Sequence, residues 1–148
     1  LPPPTASLKP ERTGSNEIKP VTADQPSQQA LQMLVQGWLD GKAAAMAGEE
    51  FNLASVARNP LVEDVRRKRA ADAADGLMQT IDASVTSIDV VSRTASRIEL
   101  RAQVAYSDRT VNKAGTVVDR TPPRTLIVTY IFGRDGKQWK LHAYIPGS

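Results

Sequence analysis

Gly76 divides this chain into two stretches whose apolar residues keep different periods. Before it they recur every three or four residues, and from Ile81 onward every second residue. The two stretches therefore belong to different layers, helices first and strands after. In the first stretch Ala30, Leu31, Leu34, Val35, Trp38 and Leu39 fall on one stripe, with Ser27 placed as the cap. Gly37 and Gly41 weaken that helix, the run Lys42 to Met46 continues it, and Gly48 ends it. A short helical turn after Asn52 carries Leu53 and Val56 inward. Asn59 as cap and Pro60 as first residue open a second helix, buried through Leu61, Val65 and Ala71 and ending near Gly76.

In the second stretch a strand from about Ile81 to Ser92 precedes one in which Ile98, Leu100, Ala102, Val104 and Tyr106 alternate with polar residues. Leu126, Val128, Tyr130 and Phe132 define one face of a later strand, and Ile127, Thr129 and Ile131 suggest that its other face is covered too. Asp135 and Gly136 make a hairpin turn into a last strand whose inward residues are Trp139, Leu141, Ala143 and Ile145. Between Asp108 and Arg124, Pro122 and Pro123 predict a loop, with a short strand around Val117. The pattern predicts an α+β domain, N-terminal helices packed on a curved antiparallel sheet in the cone shape of nuclear transport factor.

Residues 1–26 stand apart from this pattern. Pro2, Pro3, Pro4, Pro10 and Pro20 are set among polar residues with few large aliphatics, which predicts a disordered or extended tether before a domain over 27–148. That domain, roughly 120 residues, is large enough for one substantial core. The formal charge of +3 and the pI near 9.4 come from scattered basic residues, and no nucleic-acid site is indicated. With no cysteine there are no disulfides, thiolate metal sites or cysteine nucleophiles, and the compartment stays open. No apolar run approaches the ~20 residues that span a bilayer, and the first residues lack the order of a signal peptide. The chain as it stands reads as soluble, and since it does not begin with Met it reads as a fragment or processed form.

Catalytic constellations are hard to find. The single histidine, His142, lies on the last strand beside Lys140 and Tyr144, without an identifiable carboxylate partner. No histidines or cysteines stand at metal-ligand spacing, and no glycine pattern cradles a phosphate. No cofactor is expected. The run Arg66 to Arg69 can contact an acidic partner or be a solvated helix face, since Asp64 and Asp72 flank it. Trp38 and Trp139 read as core residues. The candidate partner-binding residues are His142, Tyr144, Arg66 and Arg67.

Trp38, Lys42 and Gly48, in the stretch Leu34-Val-Gln-Gly-Trp-Leu-Asp-Gly-Lys-Ala-Ala-Ala-Met-Ala-Gly48, carry a resemblance to a known family. So do Thr129-Tyr130 and Asp135-Gly136-Lys137-Gln138-Trp139-Lys140-Leu141. From about Gln28 to Ile145 the chain resembles the C-terminal IMS (intermembrane space) domain of the cyanobacterial cell-division protein ZipN and its chloroplast-division relatives. Where that family has an aromatic-rich strand after the second helix, this chain has Leu77-Met-Gln-Thr-Ile-Asp82. The resemblance implies a membrane-anchored division protein, with the anchor upstream of this chain and the domain on the periplasmic side of the inner membrane. It further implies a non-catalytic module that binds a protein or peptide segment of a membrane-associated division protein. Two other readings stay open, a small-molecule-binding or enzymatic cone domain and a domain appended to another cyanobacterial membrane protein.

Overall fold

The computed structural model describes residues 20–147. In chain order these form α1 (Gln28–Met46), a 3₁₀ turn (Leu53–Ser55), α2 (Asn59–Ala74) and four strands, β1 (Met78–Arg93), β2 (Arg97–Val111), β3 (Val117–Asp135) and β4 (Gln138–Pro146). The strands make one antiparallel meander in the order β1-β2-β3-β4, and the helices pack on its inner face. The fold is the expected cone-shaped α+β architecture.

Ser27 caps α1, its hydroxyl accepting from the Ala30 amide at 3.0 Å, and Leu31, Leu34, Val35 and Trp38 are buried. Gly41 is needed for packing. A Cβ there would stand 2.7 Å from a Phe51 ring carbon and 2.8 Å from Leu53, so the lost helix propensity is offset by close approach of the 51–53 connector. In α2 the cap position is Arg58, and Asn59 is the first helical residue with no capping bond from its side chain. The buried residues of α2 are Val62 and Val65, while Leu61 is half-buried and Ala71 exposed. Only the first half of this helix reaches the core, so the expected inward position of Ala71 falls beyond it.

On the sheet, Ile98, Leu100, Ala102 and Val104 of β2 and Val128, Tyr130 and Phe132 of β3 are buried on the inner face. The outer side of β3 is covered less than expected, with Ile127, Thr129 and Ile131 half-buried. Register shifts at Val85/Ser87 and Val90/Ser92 mark extra residues in β1, which bend the strand and curve the sheet.

Three further expectations change. The proline segment is strand, not loop: β2 runs on to Val111, Asn112 Oδ1 accepts from the amides of Ala114 and Thr116, Gly115 takes φ +83°, and β3 begins at Val117. Pro122 and Pro123 sit at a bulge opposite Ser107, in the part of β3 that β4 does not pair. Their missing N–H groups are therefore not needed by a ladder.

The second change is in β4. Phe132 pairs with Leu141 but Ile131 pairs with Ala143, so His142 is an extra residue that reverses the alternation. Trp139 and Leu141 are buried as expected, but Tyr144 then turns inward and Ile145 is 55% exposed.

Third, the start of the domain lies earlier than residue 27. Trp139 donates from its backbone to Val21 O at 2.9 Å and from Nε1 to Ala23 O at 2.8 Å. Arg134 reaches Asp24 and Thr22 O, Arg93 donates to Pro26 O, and Pro26 is buried. Composition registers side chains, whereas this segment is held by its backbone carbonyls. The rest of the expected tether, 1–19, lies outside the described residues.

Candidate partner-binding pocket

Where α1 crosses the inner face it leaves a cavity of about 130 Å³ whose walls include Trp38, Leu39, Lys42, Tyr106, Tyr130 and Tyr144. Trp38 and Lys42 are four residues apart on α1 and so share a face. Tyr130 and Tyr144 are direct partners across β3 and β4, ring centroids 6.3 Å apart, and Tyr144 lies 5.9 Å from Trp38. Into this aromatic wall Lys42 projects its ammonium, 5.6 Å from the Tyr144 centroid and 6.0 Å from that of Trp38. Both distances are within reach of cation–π attraction.

Burial holds the Lys42 ammonium below the usual lysine range, Lys68 adds repulsion, and Asp64 opposes the shift. Among the described residues no carboxylate forms an ion pair with it. Burial also raises the Tyr130 phenol, with Tyr144 contributing, and raises Tyr106, helped by its hydrogen bond to Asp108. Asp108 in turn accepts from Gln79 Nε2 and from the Thr121 amide, which fixes the far end of the cavity. Both phenols are therefore neutral, and that of Tyr106 donates to Asp108. The pocket can hold an apolar group beside an unpaired cation, and its walls contain neither carboxylate nor imidazole to act as a base.

The sheet edges are taken in part. Gln36 of α1 lies against β1 like a piece of strand, accepting from the Val85 amide at 2.9 Å and donating to Ala83 O at 3.1 Å, and Gln28 donates to Ile88 O. On β4, Val21 occupies the Trp139 amide, and residues 56–58 pair in parallel with Leu141, exchanging 2.8 and 2.9 Å bonds. An added partner strand finds these positions closed.

The four residues singled out from sequence do not converge. Tyr144 lines the cavity, brought there by the bulge. His142 lies on the outer side across Gly133, and it has a carboxylate partner after all: Nε2 is 3.1 Å from Asp135 Oδ1, and Arg58 approaches the same oxygen at 3.4 Å. The two residues are seven apart, joined across the hairpin, a pairing that linear spacing does not display. Arg66 pairs with Glu63 at 2.7 Å and Arg67 with Asp64 at 3.3 Å on their own exposed helix face. Arg66 also borders a broad groove between the end of α1, Phe51 and α2. Sequence reasoning missed Trp38, Lys42 and Tyr130 as a wall. The i, i+4 spacing of Trp38 and Lys42 was the available signal. Among the described residues no cluster of His, Cys, Asp or Glu could hold a metal, and no helix is long and apolar enough to cross a membrane.

The model of the family described as ARC6-like, IMS domain matches residues 31–142. Among solved structures, the intermembrane space region of the chloroplast protein ARC6 superposes with a TM-score of 0.67 at 18% identity, covering 82% of this chain and 97% of that one. Aln2 from a Streptomyces species matches with a TM-score of 0.46 at 17% identity, over 82% of this chain and 91% of that one. A comparison with curated protein sequences finds no significant match.

Proposed function

The chain belongs to the ARC6-like IMS-domain family, a division-associated domain, and on that premise we propose that it is a non-catalytic module that binds a protein segment. The observation that carries this is the unpaired, half-buried Lys42 beside the aromatic walls of the cavity. A cation kept there without an ion pair among the described residues, its burial only partly offset by Asp64, costs stability, and an occupant that brings an apolar group and an anionic one relieves that cost. The cavity, about 130 Å³, is well below the roughly 300 Å³ of common small-molecule sites. It suits one or two side chains of a peptide better than a free metabolite, which weighs against the small-molecule reading. The proposed occupant is a segment of a membrane-associated division protein. In this reading the domain works on the periplasmic side of the inner membrane, and the proline-rich opening spaces it from an upstream anchor.

The test is capture from detergent-solubilised membranes of the source organism with the immobilised full chain. Recovery of a division component, with no turnover of added small-molecule substrates, supports the proposal. Recovery of no such component, together with a small molecule copurifying in the cavity, contradicts it.

A further inference from the structure

A second surface lies on the outer face at the far end of the sheet, away from the cavity. Arg109 of β2 and Arg120 of β3 stand directly opposite each other on the ladder, both exposed. Like charges directly opposite on antiparallel strands, roughly 5 Å apart at their Cα atoms, destabilise the pair. Among the described residues neither guanidinium has an ion-pair or hydrogen-bond partner. Val111 is two residues from Arg109 and shares its face, and its ladder partners are Met78 and Val117. Val117 is 40% and Val118 52% exposed, open apolar residues beside two cations that no ion pair among the described residues offsets, while Met78, 38% exposed, brings its methyl to Gly48 at the end of α1. Of the nearby acids, Asp119 pairs with Thr110 on the opposite parity and Asp108 is engaged by Tyr106 and Gln79, while Asp82, diagonal to Arg109 on the same outer face, forms no ion pair with it among the described residues.

We propose that this face docks an acidic, extended segment of a partner protein, one whose carboxylates alternate with apolar side chains. Charge complementarity selects the occupant. Two adjacent guanidiniums match a pair of carboxylates, and a period of two sets apolar residues over Val111 and Val117. An anionic bilayer fits less well, because no aromatic residue stands in the 107–124 hairpin to anchor it and stable membrane binding takes more than one weak signal.

The test titrates the ¹⁵N-labelled full chain with a capped hexapeptide in which glutamate alternates with valine, and in parallel with phosphatidylglycerol vesicles. The expected result is amide shifts centred on residues 109–120, suppressed by salt, with binding about tenfold or more weaker in the Arg109→Thr/Arg120→Thr double variant. Removing the like-charge pair should leave the urea midpoint of that variant unchanged or raised. Absence of shifts at 109–120, or shifts that persist in the double variant, overturns the proposal. A lowered midpoint, which would make the arginines structural, also overturns it. Vesicle binding that needs both arginines, without peptide binding, assigns the surface to a membrane instead.

Discussion

Tyr144 faces Tyr130 directly across the β3–β4 ladder, ring centroids 6.3 Å apart, because His142 is an extra residue between Leu141 and Ala143. One inserted residue thus exchanges Ile145 for Tyr144 on the inner face and completes the wall against which Lys42 rests.

That exchange has a direct consequence for stability. Tyr144→Ala is expected to cost about 1–3 kcal/mol as a large-to-small change at a half-buried position in the cavity wall, and Ile145→Ala, at a 55% exposed position, about 0.5 kcal/mol or less. Urea melts of the two variants check the order. The reverse order would mean that the alternation of β4 continues unbroken through His142.

Trp139 is 0% exposed, with Arg134 stacked 5.4 Å from its ring centroid and the Ala23 carbonyl on its Nε1. Trp139→Ala is expected to cost about 3–5 kcal/mol through the cavity it leaves. Trp139→Phe keeps most of the volume but strands the carbonyl, so it should cost about 1 kcal/mol and speed amide exchange at 22–24. Exchange there no faster than in the parent would show that the segment is not held by this bond.

Much of the fold was legible because its two periods are both carried by large apolar residues, Leu31 to Trp38 on α1 and Ile98 to Val104 on β2. What escaped depends on backbone geometry. Pro122 and Pro123 signal a loop unless a bulge and an unpaired edge happen to receive them. The extra residue at His142 leaves no compositional trace, and residues 21–24 are held by carbonyl groups that every sequence has. The site suffered for the same reasons: Tyr144 was found without its true neighbours, and the Asp135–His142 pair exists only once the hairpin closes.

Lys42 links stability to pH. Its folded-state pKa lies below the unfolded value of 10.5, so between the two the unfolded chain binds more protons and stability rises with pH. The penalty is fully present below the folded pKa and vanishes above the unfolded one. Lys42→Met is therefore expected to be at least as stable as the parent at pH 7, with the difference shrinking toward pH 10.5. Subtracting the two curves removes the opposing contribution of the tyrosines, whose raised values lower stability above pH 10. A Lys42→Met chain clearly less stable at neutral pH would mean that the ammonium is compensated in the free protein.

The central claim, that the cavity is where a partner segment binds, is tested most directly by comparing the parent and Lys42→Met chains in capture from the same membrane extract, since both are expected to be folded. The account predicts that the division partner retained by the parent is retained about tenfold or more weakly by Lys42→Met, the loss of the cation in the cavity wall that meets the partner's anion. Equal retention of that partner by the two chains would contradict it.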